Sequence, residues 1–198
     1  MLHRDLSLPA AHGPLYGRLA LPDGAGKLLL IARAHRRPDD EVLADALVGH
    51  GIAVLDMNLL SSHELQFADA TQNVPRLSER LLDVLELIRI DGDLERLPLT
   101  VLTHGDSTPA AIRAAARRDA QVDALICHGG LADRAGLQSL QLLTAPLLML
   151  FEHDDDSGPP AWERASRHLG GPHAMHRLAA GESPLAVMLQ WLKTPGTG

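Results

Sequence analysis

The chain has 198 residues, 45% of them hydrophobic but only 3% aromatic, enough for a sizeable core built mainly from Leu, Ala, Val and Ile. Its 18 Lys and Arg against 25 Asp and Glu leave a formal charge of −7, which argues against a nucleic-acid partner, and no apolar run reaches membrane-spanning length. The single cysteine, Cys127, excludes an intrachain disulfide and fits a reducing cytoplasm, and no long apolar segment after residues 1–5 suggests a signal peptide.

Leu2–Leu8 and Leu15–Leu21 alternate apolar and polar residues around Pro9, Gly13 and Pro14, the pattern of an antiparallel hairpin within residues 1–26. Residues 27–32 form a continuous apolar run, read as a strand buried on both faces. The basic loop Arg33-Ala34-His35-Arg36-Arg37 follows, then a helix from Pro38 with Val42, Leu43, Ala46 and Leu47 inward, ending at Gly49 or Gly51. Residues 52–55 make the next strand, ending at Asp56. Residues 57–72 show no period and read as a loop or short excursion.

Val74–Ile90 carries a helical stripe of Leu77, Leu81, Val84, Leu85 and Ile88. A β-branched run from Leu99 then reaches Gly105-Asp106-Ser107-Thr108-Pro109 and passes at once into an Ala-rich helix ending near Arg118. Strand, sharp turn and helix with serine at the apex make up a nucleophile elbow, G-x-S-x-G, here with Pro109 in place of the second glycine. The alternative is that Ser107 or Asp106 caps the helix. Further strands are expected at 124–127, 146–151 and 173–178, with helices at 159–169 and Pro184–Lys193 and a frayed tail at 194–198. Strands alternating with helices over short connections predict one parallel, doubly wound α/β domain over residues 1–198. In such sheets ligands bind beyond the carboxyl ends of the strands.

Taken in order, several stretches carry a resemblance. They are the Gly17–Pro22 and His50–Asp56 segments, Arg76-Leu77-Ser78-Glu79-Arg80-Leu81, the elbow, His128-Gly129-Gly130 with Asp133, and residues 146–154. The chain resembles the dienelactone-hydrolase-like branch of the α/β-hydrolases from about residue 17 to 192. The resemblance implies a mostly parallel eight-stranded sheet with helices on both faces and little or no lid. It implies the catalytic order serine, acid, histidine and no cofactor. It places the nucleophile at Ser107 and the acid at Asp154, with Asp155 as the alternative. The Thr108 N–H and the Arg33-Ala34-His35 loop then fall at the oxyanion and binding positions.

The histidine position falls on Pro184, in a loop without histidine, and the oxyanion loop has lost its small residues. A serine hydroxyl without a base is a poor nucleophile. His128 and His35 are the candidate replacements, ahead of His104, His153, His173 and His176. The sequence shows no metal-ligand spacing, P-loop or G-x-G-x-x-G, so neither a metal nor a nucleotide cofactor is expected. Two readings stand. One is a serine hydrolase of small esters or lactones using Ser107, Asp154 and a displaced histidine. The other is a non-catalytic protein of this fold that binds a small molecule or a protein partner. A homodimer is compatible with either.

Overall fold

The computed structural model describes residues 1–35, 37 and 39–195. The hairpin forms as the alternation predicts: β1 (Leu2–Leu8) and β2 (Leu15–Leu21) pair antiparallel, with Leu2 opposite Leu21. Next, β2 pairs antiparallel with β4 (Ala53–Asn58). The other strands run parallel: β3 (Leu28–Arg33), β5 (Leu99–His104), β6 (Val122–His128), β7 (Leu147–Phe151) and β8 (His173–Arg177). Across the eight-stranded sheet the order is β1-β2-β4-β3-β5-β6-β7-β8. Every residue of β3, β5 and β7 is buried, as parallel strands covered on both faces must be.

Two helical layers do the covering. On one face lie α1 (Asp40–Gly49) and α6 (Pro184–Lys193), whose Leu47, Met188, Trp191 and Leu192 share a core with Leu29, Ile31, Leu102 and Ile126. On the other lie α2 (Val74–Ile90), α3 (Thr108–Arg117), α4 (Leu137–Leu142) and α5 (Gly158–Ser166). There Leu77, Ile112 and Trp162 share a core with Leu30, Val101 and Leu125. Alternation along the strands assigns the faces. Leu102 and Ile126 belong to the α1–α6 side, so His104 and His128, two residues on, point to that same side.

Several boundaries move, each by the logic of the ladder. The strand expected at 27–32 is shifted by one, because Arg33 pairs in register with Asn58. The strands expected at 52–55 and 124–127 lengthen for the same reason, His104 being the partner of His128. Helix α1 presents Leu43, Ala44, Leu47 and Val48 to the core, so Val42, expected inward, stands 70% exposed. Pro38, its expected start, lies outside the described residues, as do positions 196–198 of the tail. The six-residue α4 is too short to show a period and was not expected.

Residues 57–72 are not a bare loop. Leu59, Leu60 and Ala70 join the core, and two 3-10 turns form at Glu64–Gln66 and Ala70–Gln72. The segment is pinned by a reciprocal cap. The Ser61 N–H donates to Glu64 Oε2 (2.9 Å), the Glu64 N–H donates to Ser61 Oγ (3.2 Å), and Arg80 of α2 donates to Glu64 Oε1 (2.9 Å). Burial opposes ionisation of Glu64, but the Ser61 amide and Arg80 outweigh it and hold the carboxyl below its usual range.

Candidate functional site

The turn after β5 is made by Gly105, whose φ of +49° lies in the left-handed region. Gly105–Ser107 then form a 3-10 turn that runs directly into α3. Ser107 is helical, with φ −78° and ψ −14°, and among the described residues only glycines have positive φ. The strained serine conformation expected of a nucleophile elbow is therefore not adopted at Ser107. The neighbouring turn packs closely here: Gly130 has φ +91°, and a Cβ on it would collide with the Gly105 carbonyl.

Both expected oxyanion donors are engaged within the protein. The Ala34 N–H donates to Ser107 Oγ at 3.2 Å, and the Thr108 N–H donates to the Gly105 carbonyl. Ser107 is 1% exposed, and Thr108 is fully buried with its hydroxyl donating to the Gly129 carbonyl at 2.8 Å. The alternative of a helix cap is not realised either. Ser107 makes no side-chain capping bond, and Asp106 accepts the Thr71 hydroxyl at 2.8 Å.

Arg33, expected in a basic surface loop or at the oxyanion, is instead a buried structural cation at the end of β3. Its guanidinium donates to Asn58 Oδ1 (3.1 Å), Asp40 Oδ2 (2.9 Å) and Asp56 Oδ2 (2.5 Å). The ladder carries it inward, and the start of α1 supplies Asp40, 2% exposed, to receive it. His35 is exposed.

The expected acid is displaced too. The Asp154 side chain is 76% exposed, with His153 Nδ1 at 3.9 Å. Asp155, the alternative, accepts the N–H groups of Ser157 (3.0 Å) and Gly158 (2.8 Å) and so ties down the start of α5. Pro184 is the first residue of α6, preceded by Ser183, whose hydroxyl accepts the Leu185 N–H at 3.4 Å. His173 and His176 lie on β8, bonded to the Gly171 carbonyl and to Glu182. Burial pushes the Cys127 thiol up to about 12, so it stays protonated.

What the carboxyl ends of the strands do assemble is a pair of histidines. His104 and His128 are register partners on β5 and β6, each about nine-tenths buried or more, with ring centroids 5.6 Å apart. Arg37 Nη1 lies 3.1 Å from His104 Nδ1 and 3.4 Å from His128 Nδ1. A guanidinium only donates, so both Nδ1 atoms accept and each neutral ring carries its hydrogen on Nε2. The His128 Nε2–H then donates to Glu152 Oε1 at 2.7 Å, and His104 Nε2 faces Asp40 Oδ1 at 3.5 Å.

Burial, reinforced by Arg37, holds both imidazoles below the usual histidine range, against the pull of Asp40 on one and Glu152 on the other. These groups line a cleft of ≈ 360 Å³ walled by Leu43 and Ala46 of α1 and Pro184 and Leu185 of α6. The sequence names His128 and His104 separately. Their meeting was legible in the repeat Thr-His-Gly at 103–105 and Cys-His-Gly at 127–129, two parallel strands each ending in histidine. Arg37 and Glu152 were missed as partners, since nothing local in the sequence ties a loop residue to a ring two strands away.

No protein-family model matches the chain. Among solved structures, dienelactone hydrolase from Anabaena variabilis superposes with a TM-score of 0.82 over 98% of this chain and 96% of that one, at 22% identity. The chain has the α/β-hydrolase fold. Est1E from Butyrivibrio proteoclasticus (TM-score 0.72, 12% identity, 96% of each chain) has the same architecture. So does an alpha/beta hydrolase from Penicillium sp. sh18 (TM-score 0.75, 15% identity, 99% of each chain). In sequence, the chain is 27% identical over 150 residues, 74% of its length, to proteins of two Mycobacterium tuberculosis strains named "Putative phosphoribosyl transferase". It spans about a third of the length of those curated relatives, 34%.

Proposed function

We propose that this α/β-hydrolase-fold protein binds a small molecule in the cleft at the strand ends and does not act as a serine hydrolase. One observation carries the reading. Ser107 Oγ accepts the Ala34 N–H while the Thr108 N–H is bonded to the Gly105 carbonyl, so both expected oxyanion donors are taken up within the protein, one of them by the serine itself. An acyl-transfer site needs those donors aimed at the substrate oxygen and an imidazole on the serine hydroxyl. In this chain the imidazoles converge instead on Arg37.

Support also comes from the histidine position, where Pro184 and Ser183 start a helix. The activity named in the mycobacterial relatives is not carried over, because this chain matches only a third of their length.

The test is labelling with a fluorophosphonate probe, read by intact mass on the wild-type protein and on Ser107→Ala. The expected result is an unmodified mass for both. Stoichiometric labelling that disappears in the variant would overturn the reading and restore hydrolysis of small esters or lactones through Ser107.

A further inference from the structure

The arrangement around Arg37 has the form of a receptor occupied by part of its own chain. Two neutral imidazoles direct Nδ1 lone pairs at one nitrogen, and each faces a carboxylate on its far side. The His128 ring, bonded to Glu152 at 2.7 Å, is fixed in orientation and its Nδ1 is made a better acceptor, while His104 Nε2 stands 3.5 Å from Asp40 Oδ1 without a hydrogen bond. The point where the two lone pairs meet is a seat for a donor that carries positive charge.

The charges around that seat agree. The carboxylates of Asp39, Asp40, Glu152 and Glu182 line the cleft, and among its described residues Arg37 is the one Lys or Arg. The Ala179 N–H and His176 hold the Glu182 carboxyl below its usual range, so it is ionised at neutral pH. His35 near His104 and Asp155 near His128 complete the titratable groups acting on the pair, and the buried Arg33 is bonded to Asp40, the carboxylate that faces His104. An anion entering the cleft would meet these carboxylates. A cation replacing Arg37 would leave the local charge and both tautomers unchanged.

We infer that this cleft binds a small organic cation, an alkylguanidinium or alkylammonium, whose N–H donors take the place of Arg37 between His104 and His128. The head group occupies the seat and the alkyl part lies along Leu43, Ala46 and Leu185, while the half-buried Arg37 side chain moves out toward solvent. Among the described residues no group of three or more His, Cys, Asp or Glu is gathered to hold a metal ion, which favours a hydrogen-bonding cation over a coordinated one. This assignment rests on the small-molecule-binding reading and names its ligand class.

Calorimetric titration of the wild-type protein and Arg37→Ala with n-butylguanidinium, n-butylammonium and n-butyrate at pH 7.5 tests it. Arg37→Ala is expected to bind n-butylguanidinium at least tenfold more tightly than wild type and to show no heat with n-butyrate. In 15N-histidine spectra the same ligand should shift the Nδ1 resonances of His104 and His128 while both rings keep hydrogen on Nε2. His128→Asn, which retains an acceptor near Nδ1, should keep most of the gain when combined with Arg37→Ala, and His128→Leu should lose it.

Equal affinity in wild type and Arg37→Ala, or butyrate binding that needs Arg37, would overturn the proposal. So would cation binding that leaves the imidazole resonances unmoved. Fluorophosphonate labelling of the same preparations separates the two readings. Labelling at Ser107 together with cation binding overturns only the non-hydrolytic reading, and absence of both overturns only the cation assignment.

Discussion

Ser107 illustrates how one side chain changes meaning with its backbone. In helical conformation its hydroxyl becomes a buried acceptor for the Ala34 N–H. Replacing Ser107 by Ala leaves that N–H buried without its partner, which costs about 1–3 kcal/mol. The expected outcome is a lowered urea midpoint with no change in ester turnover, measured by circular dichroism and a chromogenic ester assay. Arg33 belongs to the same scale and is the more severe case. Arg33→Met would leave the Asp40 carboxylate, 2% exposed, beside Asp56 without its guanidinium and, among the described residues, with only the Arg37 N–H bonded to it, and breaking a buried pair from one side costs about 3–5 kcal/mol. Loss of soluble expression, or a comparable drop in the unfolding midpoint, is the expected result. Arg33→Lys should recover little, because an ammonium cannot reach three acceptors in a planar fork.

At the scale of elements, the strands and long helices were legible because their burial is periodic or continuous over enough residues. Val74–Ile90 is the clearest case. Its stripe is buried as expected, and Asn73 accepts the Arg76 N–H at 3.1 Å to cap it. Asn73→Ala should cost about 1 kcal/mol, read as a modest fall in melting temperature. The segment at 57–72 was illegible by periodicity, yet Ser61-Ser62-His63-Glu64 carries a capping-box signature that marks a turn start. The candidate site was legible only in part. Its position at the strand ends follows from the fold, and His128 was named, but the turn at 105–108 could not be read as letters. G-x-S is common to a strained elbow and to a 3-10 turn, and which one forms depends on where the positive φ falls. Here Gly105 takes it, one residue past the end of β5. Asp154 and Asp155 differ by one position, and only the folded loop shows which of the two is turned inward to the start of α5.

Across the whole molecule, the two buried imidazoles link stability to pH. Both are held neutral in the folded state by burial and Arg37, so their folded values lie below the unfolded value near 6.5. Above that value neither state binds the extra protons and the full stability is present. As pH falls below it the unfolded chain protonates first, so stability is lost, by up to about 1.4 kcal/mol per pH unit for each ring that stays neutral. Urea midpoints measured from pH 7.5 down to 5.5 should therefore decline, and His104→Gln should flatten the decline. The Glu64 carboxyl, held below its usual range, adds a separate loss of the same sign at more acidic pH, with its onset near 4.5.

The sparsity of aromatic residues has a practical consequence. The chain has two tryptophans, Trp162 on α5 and Trp191 on α6, one in each of the layers that clothe the sheet. Each is therefore a built-in optical reporter of one half of the interior. Substituting either by Phe would leave an emission signal that watches a single layer come apart. Coincident transitions from the two single-tryptophan proteins would mean that both layers melt as one cooperative unit. Staggered transitions would identify which layer loosens first, and an early Trp191 transition would mean that the α1–α6 layer, which walls the cleft, is the less stable one.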